Sequence, residues 1–539
     1  MGAIAGVMPR DGTVDRERLT GMLAALRDAM GRRGPVEGGM AVAYDASIGL
    51  AHRAGEGPGG ESVLQPLSNE SGTLWLVADG EPSNAADLRL ELIGAGHRFC
   101  SACGSEVILH LYEQDGPHAL ARLAGAFAFA LWDRTQRQLV LGRDRAGERP
   151  LYVAEEAGVL RFASEARALA AEPGITPGGA AAFLTLGYLP EPLTVAPAVR
   201  ALRPGTILRA RGARSRRESF WEEAASGASG DLQDDRLRVG RVLREGIQDA
   251  VAGEEGVGIA FTGTLPDTAL LALTSPVVGR GLRTHTFVFE SAATGARASR
   301  RWRTAAEHAR VVATWFRSEH CEHHVGPERM ADAFAAAADA DQPSVGAPLA
   351  HLLAGHVAAS GDRILVSAVG GEELIGVPRG AWLPWVWRAG RYGATRAPAR
   401  VVASLLGRLR PFGGAAAAAD ALARPDALVA AHLGARAVVV PRALPRLLRP
   451  EVLEHARATF DPAAYVRGLI DAPLGPPTLV VSASARAAAL RVVTAIERAG
   501  PLTSGHLRDA EHAAAIAGLG FRAPYLDHRL VEWACGPNS

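Results

Sequence analysis

Three stretches carry residues whose types and spacing could do chemistry. The first, "GIAFTGTLPDTALLAL" from Gly258 to Leu273, reads as a buried strand, a glycine-containing turn and a helix. Such a turn points backbone N–H groups and a helix N-terminus at one spot, which suits an anion such as phosphate. Thr262, Gly263, Thr264, Asp267 and Thr268 are the candidate contacts. The turn is short of glycine, however. Thr264 brings a Cβ close to any ligand, and Pro266 lacks an N–H. The second stretch, "SAVGGEELIG", follows the apolar run "RILV" and offers Ser367, Gly370 and Gly371 with the acid pair Glu372 and Glu373. Adjacent carboxylates after a glycine turn offer oxygen donors to a cation, but they are also ordinary first-turn helix residues. The third is the C-x-x-C of Cys100 and Cys103, which lacks two further ligands at matched spacing for a metal.

These residues need elements to hold them. Residues 1 to about 210 alternate short strands with few helices. "GTLWLVADGE" and "RQLVLGRDR" have strand composition, while "DRERLTGMLAALRDAM" and "AADLRLELIGAG" have helical spacing. A polar, Gly/Ser-rich stretch at 211–235 reads as a linker, with Phe220 and Trp221 packing onto one domain. From 236 to 539, buried strands ("GIAF", "THTFVFE", "RILV") alternate with helices, which predicts a parallel sheet covered on both faces with its ligand at the strands' carboxyl ends. Beyond about 380 the pattern is mostly helical.

The bulk numbers set limits. The chain has 539 residues and a formal net charge of +1, which argues against nucleic-acid binding through bulk charge. All 58 basic residues are arginine, so no lysine amine is available for catalysis or for clamping phosphate. Four cysteines are too few for a disulfide framework at this length. The start is too interrupted for a secretory signal, and no window is apolar enough to span a membrane. A cytoplasmic location is the default expectation; the oligomeric state is left open.

Five stretches together resemble the asparagine synthetase family, which includes β-lactam synthetases and lasso-peptide macrolactam cyclases. "GAFAFALWDRTQRQLVLGRDRAGERPLYV" resembles its R-D-R-x-G-x-K-P-L-Y stretch, and "FASEARAL" its F-A-S-E-x-K-A-L. "GYLPEPLTVAPAVRALRPGT", "SAVGGEELIG" and "RAPYLDHRLVE" match further motifs in the right order. The resemblance implies an α+β, Ntn-type αββα sandwich, then an α/β ATP-pyrophosphatase (HUP-like) domain with a helical C-terminal part. It also implies ATP and Mg²⁺ as cofactors, and a precursor peptide or other small carboxylate as substrate.

Where the family begins M-C-G-I-A-G and uses that cysteine to attack glutamine, this chain has Gly2, so the nucleophile is missing. The family's N-G-E becomes Asp79, Gly80, Glu81, which sets an anion where negative charge develops. Gly104 replaces the Asp that holds the substrate amine. Arg53 matches the carboxylate-binding arginine and is expected to be structural here. Glutamine hydrolysis is therefore expected to be lost. The family's phosphate loop S-G-G-x-D-S aligns with Thr262 onward in two registers, one ungapped and one with an inserted residue that sets Pro266 in the first helical turn. Asp341-Gln342-Pro343 stands for D-E-P. The chain ends where the family continues with a lysine-bearing segment. The late stretch "VVTAIERAGPLTSGHLRDAEHAAAIAGLGFRAPYLD" is most similar to lasso cyclases, with Arg522 replacing a histidine. Three functions stay open: ATP-dependent amide formation, an asparagine synthetase by descent, and a pseudoenzyme that binds a peptide or partner.

Overall fold

The computed structural model describes residues 2–10, 14–36, 38–55, 64–170, 174–221, 232–290, 296–337, 340–375, 438, 444–474 and 497–535. Its first half is built on two six-stranded antiparallel sheets. In one, Ala3–Pro9 lies between Val159–Ala163 and Gly49–Arg53. In the other, Ala128–Asp133 lies between Leu74–Asp79 and Gln138–Arg143.

Period-two alternation explains the layering. Ala3, Ala5 and Val7 face Leu19, Leu23 and Leu26 of the helix Arg16–Ala29, while Ile4 and Met8 pack against Val77, Ala130 and Leu141 of the second sheet. Leu76 and Ala78 turn the other way, onto Leu88 and Leu92 of Ala85–Gly94 and Val107 and Leu111 of Val107–Asp115. The order helix, sheet, sheet, helix is the αββα sandwich expected. Gly6 is forced by the closeness of the packing, since a Cβ there would lie 2.3 Å from the Phe162 ring.

The second half carries a five-stranded, all-parallel sheet. Its order is Glu319–Val325, Arg283–Phe289, Val257–Ala260, Ile364–Val366, Gly520–Arg522. Val257, Ile259, Ile364 and Val366 face one core with Val242 and Ile247 of the helix Leu232–Val251; Leu365 and Phe521 face another with Ala354 and Val357 of Ala347–Ala359. Both faces are covered, as a near-continuous apolar strand pattern requires. Residues 376–437 lie outside the described residues; after them, Pro450–Thr459, Pro462–Leu474 and Arg508–Ile516 are helical.

The expected linker departs from expectation at its start. Arg214–Ser219 pairs with Thr206–Arg211 as an edge strand, turning through Gly212 at φ +52°. Its side chains are almost all exposed, so no apolar alternation marks it. Phe220 and Trp221 are not confined to one domain: Trp221 lies against Gly205 and clusters with Ala146 of the first half, and reaches into the second. Phe220 packs on the first half, under the Arg145 guanidinium, whereas Trp221 joins the second half's core and donates from Nε1 to Glu532 Oε1 at 3.0 Å.

Candidate functional site

At the carboxyl end of Val257–Ala260, the helix Leu265–Val278 starts after Thr264, with Pro266 in its first turn. Proline is tolerated there because first-turn N–H groups lack intrahelical partners. Gly263 takes φ +73°, a left-handed conformation suited to glycine. Asp267 is 7% exposed and folds back over the turn. Its Oδ2 accepts from the Thr262 N–H at 2.8 Å, the Thr262 hydroxyl at 2.5 Å and the Thr264 N–H at 3.4 Å. Burial pushes its carboxyl pKa up, against the lowering pull of the Thr262 and Thr264 donors. The turn's Thr262 and Thr264 donors are thus engaged by the loop's own carboxylate.

The second loop lies beside the first because Val257–Ala260 and Ile364–Val366 are parallel neighbours. Gly370 takes φ +90° and leads into the short helix Gly371–Ile375. A Cβ on Gly371 would fall 2.7 Å from the Pro266 Cβ, so glycine is needed for the two loops to touch. Tyr525, from the "RAPYLD" stretch, donates its hydroxyl to the Pro266 carbonyl at 2.9 Å. Ser367 accepts from the Val369 N–H at 3.2 Å. Glu372 and Glu373 are half-buried, and Glu373 Oε1 lies 3.5 Å from His506 Nδ1. The two loops read from the sequence therefore form one locus, joined by Tyr525 and His506, which sequence reasoning did not select. Thr268 is half-buried on the same helix.

Asp341 and Gln342 have a different setting. Asp341 Oδ1 accepts from the Arg167 N–H at 3.0 Å, and Gln342 Oε1 accepts from the Val195 N–H at 3.0 Å. Both side chains dock on the first half.

Around Gly2, the structure shows what the altered residues do. Asp79 is 1% exposed at the end of its strand; Oδ1 accepts from the Gly2 N–H at 3.0 Å and Oδ2 from Arg33 Nη2 at 2.9 Å. Arg33 is fully buried and also donates to the Gly2 carbonyl at 3.1 Å and, through Nη1, to Glu511 Oε2 at 2.9 Å. Arg149 Nη1 reaches Glu511 Oε1 at 3.0 Å. Burial alone would raise the Asp79 carboxyl, but Arg33 and Arg149 hold it down at about 2. Burial alone would lower the Arg33 guanidinium, and Glu511 and Asp79 overcome that and push it well up. Two arginines and two acids from both halves thus form one buried network. Glu81 Oε1 accepts from the Gly104 N–H at 3.2 Å, and the Gly80 carbonyl accepts from the Ser105 hydroxyl at 2.8 Å. Arg53 is spent on backbone carbonyls, donating to Gly34 and Pro35. Arg33, Arg149 and Glu511 were not singled out from sequence. The available signal was Asp79 itself, an acid replacing a neutral side chain and so needing a cation.

A cavity of 990 Å³ opens between the halves, lined by Gly2, His52 and Glu81 on one side and Arg522, Pro524 and Asp527 on the other. It does not include the 262–268 or 367–373 loops. Half-buried Glu148, on its wall, is pushed up to about 8 by desolvation and by neighbouring Asp144. Among the described residues no helix is long and apolar enough to cross a membrane.

Comparison with known proteins agrees with this architecture. The profile of the glutamine amidotransferase domain matches residues 1–221, and that of asparagine synthase matches residues 238–538. The chain is 30% identical over 197 residues to asparagine synthetase [glutamine-hydrolyzing] 1 of Bacillus subtilis (36% of this chain, 30% of that protein). It is 40% identical over 141 residues to asparagine synthetase B of Escherichia coli (26% and 25%). It is 24% identical over 253 residues to asparagine synthetase 3 of B. subtilis (46% and 41%). The matched stretches thus span well under half the length of these relatives. With both halves matched in order, and with the second match alone running over most of the parallel-sheet half, the chain belongs to the asparagine synthase family.

Proposed function

We propose that this chain forms amide bonds at the expense of ATP, as asparagine synthetases do, but takes its amine from a source other than glutamine. The observation that carries this reading is an asymmetry between the halves. At Gly2 there is no side chain to act as nucleophile, and Asp79 is tied to Arg33 and to the Gly2 N–H. At the parallel sheet, the 262–268 and 367–373 loops still meet at the strand ends where ligands of such sheets bind. A free amine then attacks an activated carboxylate. A precursor peptide closing on its own N-terminus, as in lasso-peptide cyclisation, is the form the sequence resemblance favours.

ATP would supply the leaving group that activates the carboxylate. Glu372 and Glu373 have the oxygen donors that Mg²⁺ takes. Thr262, Gly263, Thr264 and Thr268, with Ser367, Gly370 and Gly371, would border the phosphates. They fit once the Asp267 carboxylate rotates away from the Thr262 and Thr264 N–H groups.

That same carboxylate favours a second reading, a pseudoenzyme that binds a peptide or partner with its nucleotide loop filled from within. Calorimetry with Mg²⁺·ATP separates the two. Micromolar binding by the natural protein supports amide formation. Binding by Asp267→Ala or Thr264→Gly/Pro266→Asp alone supports the pseudoenzyme and ends the first reading.

A further inference from the structure

On the helical layer of the first half, far in sequence from both loops, His97, His110 and Glu113 converge. His110 and Glu113 are three apart on Val107–Asp115, so they share a helix face. His97 comes from the turn after Ala85–Gly94. One carboxylate oxygen, Glu113 Oε2, lies 3.3 Å from His110 Nδ1 and 3.5 Å from His97 Nδ1. All three donor atoms lie within 4.8 Å of one another, the one such group among the described residues.

These separations are informative. A charge-assisted N–H···O bond is about 2.7–2.9 Å long, so the His110–Glu113 hydrogen bond at 3.3 Å is a long one and the His97 contact at 3.5 Å is longer still. Two ligands about 2.0–2.1 Å from a tetrahedral zinc ion are about 3.3–3.4 Å apart. The two distances from Glu113 to the histidines match that spacing, and the histidine nitrogens lie within 4.8 Å of each other.

The surroundings fit the same reading. Glu113 Oε1 accepts from Asn69 Nδ2 at 2.9 Å, and Asn69 Oδ1 is itself fixed by the Thr73 and Leu74 N–H groups at 3.0 Å each. His110 is fully buried, and its other nitrogen, Nε2, has no hydrogen-bond partner. That nitrogen faces Glu106 Oε1 at 3.6 Å. The Glu106 carboxylate is held by the Cys100 and Ser101 N–H groups and the Ser101 hydroxyl. A metal on Nδ1 would put the ring proton on Nε2, aimed at Glu106, which is the carboxylate–histidine–metal pattern of orienting partners.

We propose that His97, His110 and Glu113 bind a zinc-class divalent ion through two imidazole nitrogens and one carboxylate oxygen, with a fourth position left to water. Imidazole donors suit Zn²⁺ and its later first-row neighbours rather than Mg²⁺. The ion would tie the turn at His97 to the helix at His110. The site is independent of the amide-forming reading.

The test uses the untagged full chain, stripped with EDTA. Zn²⁺ titration by calorimetry should show one equivalent bound, and Co²⁺ should give the intense visible bands of tetrahedral coordination. His97→Ala and Glu113→Gln, both at partly exposed positions, should each weaken binding at least 10-fold, on the order of the loss known for metal-site partners. Glu106→Gln, which touches no ion, should weaken it by about 10-fold and leave the Co²⁺ bands in place. Zn²⁺ should raise the melting temperature of the natural protein but not of His97→Ala, whose metal-free melting matches. Absence of a bound equivalent, or equal affinity in His97→Ala, overturns the proposal.

Discussion

Adding a Cβ at Gly2 would set it 2.7 Å from the Arg53 carbonyl oxygen and 2.9 Å from His52 Nε2. A side chain at residue 2 needs the Arg53 carbonyl and the His52 ring to shift, although Gly2 also borders the cavity. Gly2→Cys should therefore release no glutamate from glutamine above background, and should destabilise the fold by about 1–3 kcal/mol through overpacking, as read by urea unfolding. His52 itself gives a pH signature. It is 6% exposed, and burial holds its pKa down at about 4, against an ordinary 6.5. Above 6.5 both folded and unfolded states carry it neutral, and stability is full. As pH falls from 6.5 to 4, the unfolded state takes a proton that the folded state refuses, so stability declines, by at most about 3 kcal/mol. Comparing melting curves of the natural protein and His52→Gln across that window should show a smaller decline in the variant, which keeps the part due to other buried histidines such as His323 and His512.

Among the elements, those whose side chains alternate or repeat were legible. Ala3, Ala5 and Val7 against Ile4 and Met8 declare a strand between two cores, and the apolar strands of the parallel sheet declare burial on both faces. Arg214–Ser219 was not legible, because an exposed edge strand of arginine, serine and glutamate has no period to read. Its one local signal is the two-residue turn at Gly212 and Ala213. The phosphate-type loop was legible as strand, turn and helix, and the ungapped register has Asp267 aiming its charge at the turn; that the carboxylate bonds Thr262 and Thr264 was not legible, since a side-chain rotamer leaves no mark on sequence. The helix start makes its own prediction. Pro266→Ala should change stability by less than about 0.5 kcal/mol, because its missing N–H costs nothing in the first turn. Asp267→Ala should cost about 1 kcal/mol by releasing the Thr262 and Thr264 donors. Both values follow from denaturant midpoints.

At the scale of the whole molecule, the two halves are joined by groups that no local pattern connects. Arg33 and Glu511 are 478 positions apart, and both are buried. Glu511→Gln leaves Arg33 and Arg149 facing each other without the shared anion. The cost should be about 3–5 kcal/mol, as for other broken buried pairs. Fluorescence and circular dichroism melts, coincident in the natural protein, should separate in this variant as the first half lets go of the second.

The fate of the Asp79–Arg33–Glu511–Arg149 network bears on modularity. A chain divided within 222–231 would leave Arg33 and Arg149 on one fragment and their anion Glu511 on the other. Each fragment would expose a face built to be dry. Produced together, the pieces should find each other and complement in trans; produced singly, the first should be poorly soluble. On that outcome the first half is the fixed wall against which its neighbour folds.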